Sequence, residues 1–548
     1  FTSAVDHIFK NLHTLHKKKK ADLMKSSLDS NTINSNFQYK LNHALTGLKA
    51  SPQRNHQDFL RLWEIYKEDM NCVNLSTIMN ILGNIKNEKV IRQIRLSREY
   101  KEIVDFVSEK LRNDPDWFDQ SQVNYNFDLH TFLPHLPEKL TLFAFSTLAL
   151  SFVALLNQAL TNVLYTFAKL IKPKISNAAA LDVTASDDID PRAYSALKHE
   201  GETSKWKGNV REQNGKIYAI FSYINTNFAS KIASGGAQEV ALTVWSYAIL
   251  KLFAPNIFNA VVENRERLVE DCNPQELSLI CWSFARNRHD SPELFDLVAC
   301  KPEKILAGGP QVISNVAWSF ASNNMRADDM FASIAGRLDM LLMEGKPQAL
   351  SNTMWAFAMM GIYEGDVVSS LWDALVNCTE EEMASMKHEL YVQMYQVTIA
   401  ASIEAPHLVL APPPPKMNKI VQTATTRNTD VLISKSQKHV SNILHRMGFY
   451  HKLEVSPMGR SDGFLSLDMA DTKNSIAVEF DGPFHYVRRE GLEHITNRDD
   501  GRTAFKTRLL ERKGWRIIRV SYLDWAGLSN EEEQIGYLFH KLKEVMDI

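Results

Sequence analysis

Apolar and polar positions in this chain recur with a period of about 37 residues. Trp245-Ser246-Tyr247-Ala248 returns as Trp282-Ser283-Phe284-Ala285, as Trp318-Ser319-Phe320-Ala321 and as Trp355-Ala356-Phe357-Ala358, at spacings of 37, 36 and 37. Seven residues before each Trp stands a glutamine: Gln238, Gln275, Gln311 and Gln348. Pro274, Pro310 and Pro347 precede three of them, as suits the first turn of a helix. Within Gln311 to Ala321, Val312, Val316 and Phe320 follow a four-residue step, and Trp318 and Ala321 add the neighbouring face. The pattern predicts a helix buried nearly all round. A second apolar-periodic stretch follows each copy, at Phe258 to Leu268, Leu294 to Leu306, Met330 to Leu342 and Val367 to Val376. Each unit therefore reads as two helices. Such a unit cannot bury its faces alone, so units must stack into an α-solenoid.

The same register finds a fifth copy at Gln158, Asn162, Tyr165, Phe167 and Ala168, a weaker one around Leu75 to Gly83, and a degenerate one around His388 to Tyr395. The Trp and Phe positions serve inter-repeat packing. The polar positions beside them, Gln158, Asn162, Gln238, Gln275, Gln311, Asn315, Gln348 and Asn352, carry amides able to read base edges; their structural alternative is helix capping or bonding to the next repeat. No charged residue occurs between Thr141 and Ala168, a length that could span a bilayer. Its interior polar residues and its overlap with the repeat register favour two buried solenoid helices, and no membrane association is expected.

The predicted organisation is a polar N-terminal arm over 1–60, repeats over 61–404 with an insertion loop at about 173–202, a proline-rich linker over 405–418 around Pro412 to Pro415, and a domain over 419–548. In that last domain helical periodicity gives way to an α/β pattern. Helices are expected over Val431 to Met447, Thr503 to Lys513 and Glu531 to Met546. Strands are expected at Leu453 to Val455, Phe464 to Met469, Ser475 to Asp481 and Trp515 to Val520.

Here a resemblance becomes specific. Ala477-Val478-Glu479-Phe480-Asp481-Gly482-Pro483-Phe484-His485-Tyr486, then Lys506, Leu509-Leu510, Gly514-Trp515 and Asp524-Trp525, resemble a RAP domain, and the repeats resemble the octotricopeptide and heptatricopeptide class, the period favouring the latter. Repeats followed by a RAP domain are also the layout of FAST-kinase-like mitochondrial proteins. The resemblance implies a small restriction-endonuclease-like α/β domain after the solenoid. It also implies an organellar RNA-binding protein acting in RNA stability, processing, translation or ribosome assembly. The partners implied are rRNA or organellar transcripts and proteins of a ribonucleoprotein particle such as the mitochondrial ribosome. The implied place is the mitochondrial matrix, with a plastid as alternative.

PD-(D/E)xK nucleases use an Asp and a Glu to hold a divalent metal and a Lys two residues after the Glu to activate water. Asp468 and Glu479 are the corresponding pair here, but Asp481 stands where the Lys belongs. A nuclease would use Asp468, Glu479 and Asp481 with Mg²⁺ and His485 as base. The preferred expectation is a non-enzymatic domain with no cofactor or metal ligand, and a third alternative is a protein-interaction solenoid.

Charge sharpens the RNA expectation. Lys plus Arg is 62 against 64 for Asp plus Glu, so the net charge is −2, which excludes a histone-like polycation. Locally, His485 to Val520 holds ten Lys/Arg against five acids. Arg488, Arg489, Arg502, Lys506, Arg508, Arg512 and Lys513, with His485 and Tyr486, are the expected RNA contacts there, and Lys17, Lys18, Lys19 and Lys20 those of the arm. Five cysteines without CxxC spacing fit neither a disulfide scaffold nor a zinc site. The start at Phe1 rather than Met is what a cleaved targeting peptide would leave.

Overall fold

The computed structural model describes residues 2–25, 30–48, 52–114, 160–171, 205–379, 388–413, 433–458, 464–489 and 495–546, with a few single positions between them. The described chain divides into two compact units between Asn264 and Arg265. The division does not follow the proline run: the α/β domain and the repeats from Arg265 onward form one unit.

In the first unit the expected polar arm is helical, over Thr2–Lys25, Ser30–Leu48 and Pro52–Tyr66. Leu12, Phe37, Leu41, Leu45, Phe59 and Trp63 are buried, so sparse apolar positions at helical spacing suffice to pack this segment. Lys19, expected to meet RNA, is buried: its ammonium bonds Asp69, which also pairs with His16 (2.8 Å), and it lies over the Phe37 ring. Lys17, Lys18 and Lys20 are exposed. Helices Cys72–Gly83, 160–171 and α1 (Ala237–Ile249) stack in order. Asn162 donates to Ser76 Oγ (2.8 Å), Thr166 Oγ1 to the Met79 carbonyl (2.6 Å), and Thr161 meets Thr243 (3.0 Å). Gly83 permits the approach, since a Cβ there would lie 2.8 Å from Thr166 Oγ1. The expected insertion loop and most of the uncharged stretch from Thr141 lie outside the described residues. Among the described residues no helix is long and apolar enough to cross a membrane.

The second unit stacks α2 (Pro274–Arg286), α3 (Pro310–Ser322), α4 (Pro347–Met360) and α5 (His388–Glu404) side by side. The recurring phrase divides its labour. Phe284, Phe320 and Phe357 are buried, Phe320 against Phe295 and Phe357 against Phe331. Ser283 and Ser319 turn their hydroxyls onto carbonyls one turn back, removing polar surface where neighbouring helices close in. Of the expected second helices, Val367–Val376 is a single helix, while two others are broken in two: Pro292–Ala299 with Pro302–Leu306, and Asp328–Ala335 with Leu338–Glu344. Pro302 cannot continue the helix before it. Of the proline-rich linker, Ala411 accepts from Trp372 Nε1 (2.7 Å), which ties the strand of chain to the last repeat.

The α/β domain holds a four-stranded sheet in the order β1 (Lys452–Val455), β2 (Leu467–Asp471), β3 (Ile476–Asp481) and β6 (Arg516–Ser521). The first three strands are antiparallel, and β3 and β6 are parallel. The crossover between those two carries a hairpin that the sequence pattern did not reveal, β4 (Tyr486–Arg488) with β5 (Ile495–Asp499), and then α7 (Gly501–Arg512). One sheet face presents Met469, Ile476, Val478, Phe480, Ile518 and Val520 to α6 (Lys435–Arg446) and α8 (Glu531–Met546), closing an apolar core. Strand alternation sends Asp468, Glu479, Asp481 and Arg519 to the opposite face. There α7 lies over them and packs against α3, α4 and α5.

Candidate nucleic-acid interface and the carboxylate site

In the second unit the expected amide positions fall on one stripe of the stacked helices α2, α3 and α4. Residues seven and three places before a Trp share its helix face. Gln238, Gln275 and Gln311 are exposed, and Gln348, Asn315 and Asn352 are half-buried. None of these glutamines caps its helix. At α2 that role belongs to Asn273, whose side chain accepts from Glu276 N (3.0 Å) while Glu276 accepts from Asn273 N (2.9 Å). Instead Gln311 donates to Asn315 (2.8 Å) and Gln348 to Asn352 (3.0 Å), holding each amide pair along the surface. Asn352 also accepts from Gln393 on α5 (3.0 Å), and Asn162 is buried against Ser76, so these two bond the neighbouring repeat. Gln158 lies outside the described residues.

Beside the amides runs an aromatic ladder. Trp282 and Trp318 lie 6.3 Å apart with planes tilted by 31°, and Trp318 and Trp355 are stacked at 6.5 Å and 22°. Trp355 is buried and donates to Gln396 (2.7 Å), whereas Trp282 and Trp318 are half-buried. In the first unit Tyr165 and Trp245 form the matching contact at 5.3 Å. The rings touch one another, so a nucleobase would lie against their exposed edges rather than between them.

The carboxylates come together as expected, but they are already engaged. Asp468 and Glu479 sit on neighbouring strands, and each carboxylate accepts from the backbone of the other strand: Phe480 N donates to Asp468 Oδ2 (2.9 Å), and Asp468 N to Glu479 Oε1 (3.1 Å). The other Glu479 oxygen takes Lys506 Nζ at 2.5 Å. Lys506 therefore supplies the cation missing from position 481, reaching in from α7, and is not a surface residue open to RNA. Burial opposes its charge, yet Glu479 and Asp468 outweigh that and raise its pKa. Desolvation, with the charge of Glu479, lifts the Asp468 carboxyl well above the usual carboxylate range. Asp481 belongs to a different set. His485 Nδ1 lies 3.0 Å from its Oδ1, Arg519 Nε 2.5 Å from its Oδ2, and Tyr486 Oη 3.4 Å from the same oxygen. Burial would raise Asp481, but His485 and Arg519 hold it below its ordinary value. Burial and Asp481 push Tyr486 up to about 12.

A divalent cation does not fit this arrangement. Both oxygens of Glu479 and of Asp481 have partners, and Asp468 Oδ2 already accepts from Phe480 N. Among the described residues no three His, Cys, Asp or Glu side chains are grouped to hold a metal.

Of the expected basic RNA contacts, Arg489 and Arg508 bond residues of the repeats, as does Arg498, which is not among them. Arg489 makes a bidentate pair with Glu293 (2.8 Å to each oxygen). Arg498 bonds Asp290 (3.0 Å from Nε) and the Asn323 carbonyl (2.5 Å). Arg508 holds Glu404 (2.8 Å) and the carbonyls of Met359 (2.8 Å) and Ala358 (3.0 Å) at the end of α4. Cationic groups at helix C-termini complete carbonyls that have no partner within the helix. Backbone bonds join the same surfaces, Arg488 N to the Arg288 carbonyl (2.9 Å) and Asp290 N to the Arg488 carbonyl (3.0 Å). Arg512 and Lys513, at the far end of α7, are exposed.

The fold is thus that of a helical-repeat protein with a small C-terminal α/β domain docked on its last repeats. That domain is a RAP domain: residues 478–541 match the RAP domain family model. Over 174 residues the chain is 27% identical to the "RAP domain-containing protein, chloroplastic" of Oryza sativa subsp. japonica, an alignment covering 31% of this chain and 26% of the rice protein. The chain therefore spans about a quarter of that relative's length. A RAP domain points to RNA binding.

Proposed function

We propose that this chain is a non-catalytic RNA-binding protein of an organelle, holding single-stranded RNA along its repeats. The observation that supports this most is the stripe of Gln and Asn amides beside the half-buried tryptophans on successive helices. Amides supply paired donors and acceptors for base edges, and the exposed indole edges supply edge-to-face contact with a base whatever its identity. A protein-binding surface would favour a continuous apolar patch; this stripe alternates amide and aromatic.

The organellar assignment draws on the chloroplastic name of the rice relative, which favours a plastid over the mitochondrion. Whether the RNA is ribosomal or a transcript, and whether the role is architectural or in processing, is decided by which RNA co-purifies with the chain. Ultraviolet crosslinking of that RNA, mapped to residues, tests the binding surface. Crosslinks to a partner protein alone along the stripe would establish the protein-interaction alternative instead.

A further inference from the structure

The RAP domain packs α7 against the repeats and carries α6 on the other face of its sheet. From Ser434 to Leu453 the chain holds Lys435, Lys438, Arg446 and Lys452 and no acidic residue. Lys435, Lys438, Asn442 and His445 recur at steps of three and four, so they share one face of α6, and all four are exposed. Two contacts tie the helix to α8: His439 Nε2 bonds Gln534 (3.0 Å), and Arg446 pairs with Glu531 (2.5 Å). Tyr450 stands just beyond α6 and is 70% exposed. Its ring meets that of His445 edge-on, with centroids 5.2 Å apart and planes at 85°.

A depression of about 420 Å³ opens here, lined by Ser441, Asn442, His445, Arg446, His451 and Leu453. Its size is that of a small-ligand site. His451 is fixed in place. Its ring stacks on the buried Phe449 (5.6 Å, 27°), its Nδ1 meets the Phe449 carbonyl (2.9 Å), and its Nε2 meets the Ser441 hydroxyl (2.7 Å). A carbonyl can only accept, so Nδ1 carries the proton, and in the neutral ring Nε2 accepts from Ser441. Burial, with the neighbouring His445, lowers the His451 pKa, in keeping with a neutral ring. The lining is therefore ordered before any ligand arrives, which reduces the entropy lost on binding. An exposed aromatic ring, an amide and a row of lysines on one helix face are the parts that single-stranded RNA uses: a stacking platform beside cations for the backbone. An acidic peptide would use the lysines and leave the ring without a role.

We propose that this face of α6 and the depression beside Tyr450 form the RAP domain's own contact for single-stranded RNA. One base stacks on Tyr450, the Asn442 amide meets its edge, and Lys435 and Lys438 meet phosphates of neighbouring nucleotides. Lys438 lies seven residues before His445, about 10 Å along the helix, which is why its phosphate belongs to another nucleotide. The proposal rests on the RNA-binding reading and adds a site outside the repeats. It also separates two uses of basic residues in this domain. Arg489, Arg498 and Arg508 hold the domain to the repeats, whereas α6 precedes the segment 478–541 that matches the family.

The test uses the full chain, a fluorescein-labelled oligouridine of about 12 nucleotides, and the variants Tyr450→Ala, Tyr450→Phe and Lys435→Gln/Lys438→Gln. Lys473→Gln, exposed in the turn between β2 and β3, is the control for charge loss. Thermal melting of each variant first confirms the fold, and the lysine variant carries the test if Tyr450→Ala fails to fold. Tyr450→Ala should bind about tenfold more weakly, and Tyr450→Phe, which keeps the ring, should bind as the parent does. The lysine variant should bind about fivefold more weakly, with the slope of log K against log salt flattened by about 0.7 per charge removed. Lys473→Gln should match the parent. Ultraviolet crosslinks should include the peptide carrying Tyr450. Parent-like Kd in Tyr450→Ala with a parent-like slope in the lysine variant would overturn this site and leave RNA binding by the repeats intact. An equal loss in Tyr450→Phe would overturn the stacking role. Crosslinks from Tyr450 to protein alone would overturn the RNA assignment in favour of a partner chain. No binding of oligouridine by the parent would remove the site together with the functional reading beneath it.

Discussion

Gly501 sits against the backbone of Ala321 so closely that a Cβ on it would lie 1.8 Å from the Ala321 carbonyl oxygen and 2.9 Å from Met359 Cε. Gly501 opens α7, and Ala321 lies in the last turn of α3. The RAP domain therefore meets the repeats backbone to backbone, at a place with no room for even a methyl group. Gly501→Ala should push α7 away from α3 and cost about 1–3 kcal/mol, as overpacking does. The expected readout is faster proteolysis in the Ala405 to Pro413 segment with unchanged far-ultraviolet circular dichroism. A proteolysis pattern identical to the parent's would show that the contact does not hold the domain in place.

Arg508 makes the second attachment. Its guanidinium joins Glu404 to the last carbonyls of α4, and Glu404 has a further bond from Tyr363 (3.2 Å). Arg508→Ala should destabilise by about 3 kcal/mol, because it strands a buried carboxylate and two carbonyls. Arg508→Ala/Glu404→Gln should recover part of that loss in denaturant melts. Arg508→Lys should not substitute fully, since a single ammonium cannot reproduce the fork.

The carboxylate site predicts a pH effect with a definite sign. The Asp468 carboxyl has a raised pKa in the folded protein, so folding takes up a proton above the ordinary carboxylate range. Its contribution to stability therefore falls as pH rises through that interval. Asp468→Asn keeps an acceptor for Phe480 N and should raise the melting temperature at pH 8, with little effect at pH 4. Asp481 behaves oppositely: its lowered pKa gives stability that is present above the ordinary value and lost as pH falls through the folded one. Melting temperatures from pH 4 to 8 separate the two, and an Asp468→Asn benefit confined to acid pH would contradict the assignment.

The repeats were legible because one phrase recurs: Trp318 and Phe320 mark both the period and the two faces of their helix. The strands around Glu479 were legible from the unbroken apolar run before it. The use of the RAP arginines was not. Arg498 meets Asp290 across 208 residues and Arg508 meets Glu404 across 104, and no local pattern links a basic run to acids so distant. Lys506 escaped for a related reason, since it reaches Glu479 from a helix 27 residues later rather than from the same strand. The N-terminal helices were hidden by their polar composition, in which Leu12, Phe37 and Leu41 are thinly spread.

RNA binding along the repeats is tested most directly by ultraviolet crosslinking of the full chain to single-stranded RNA, with crosslinked peptides mapped by mass spectrometry and binding measured for Trp318→Ala. Crosslinks should fall on Trp282, Trp318 and the peptides carrying Gln275 and Gln311, and Trp318→Ala should weaken binding by about 1–3 kcal/mol. Crosslinks absent from these helices, together with unchanged affinity in Trp318→Ala, would contradict RNA binding by the repeats.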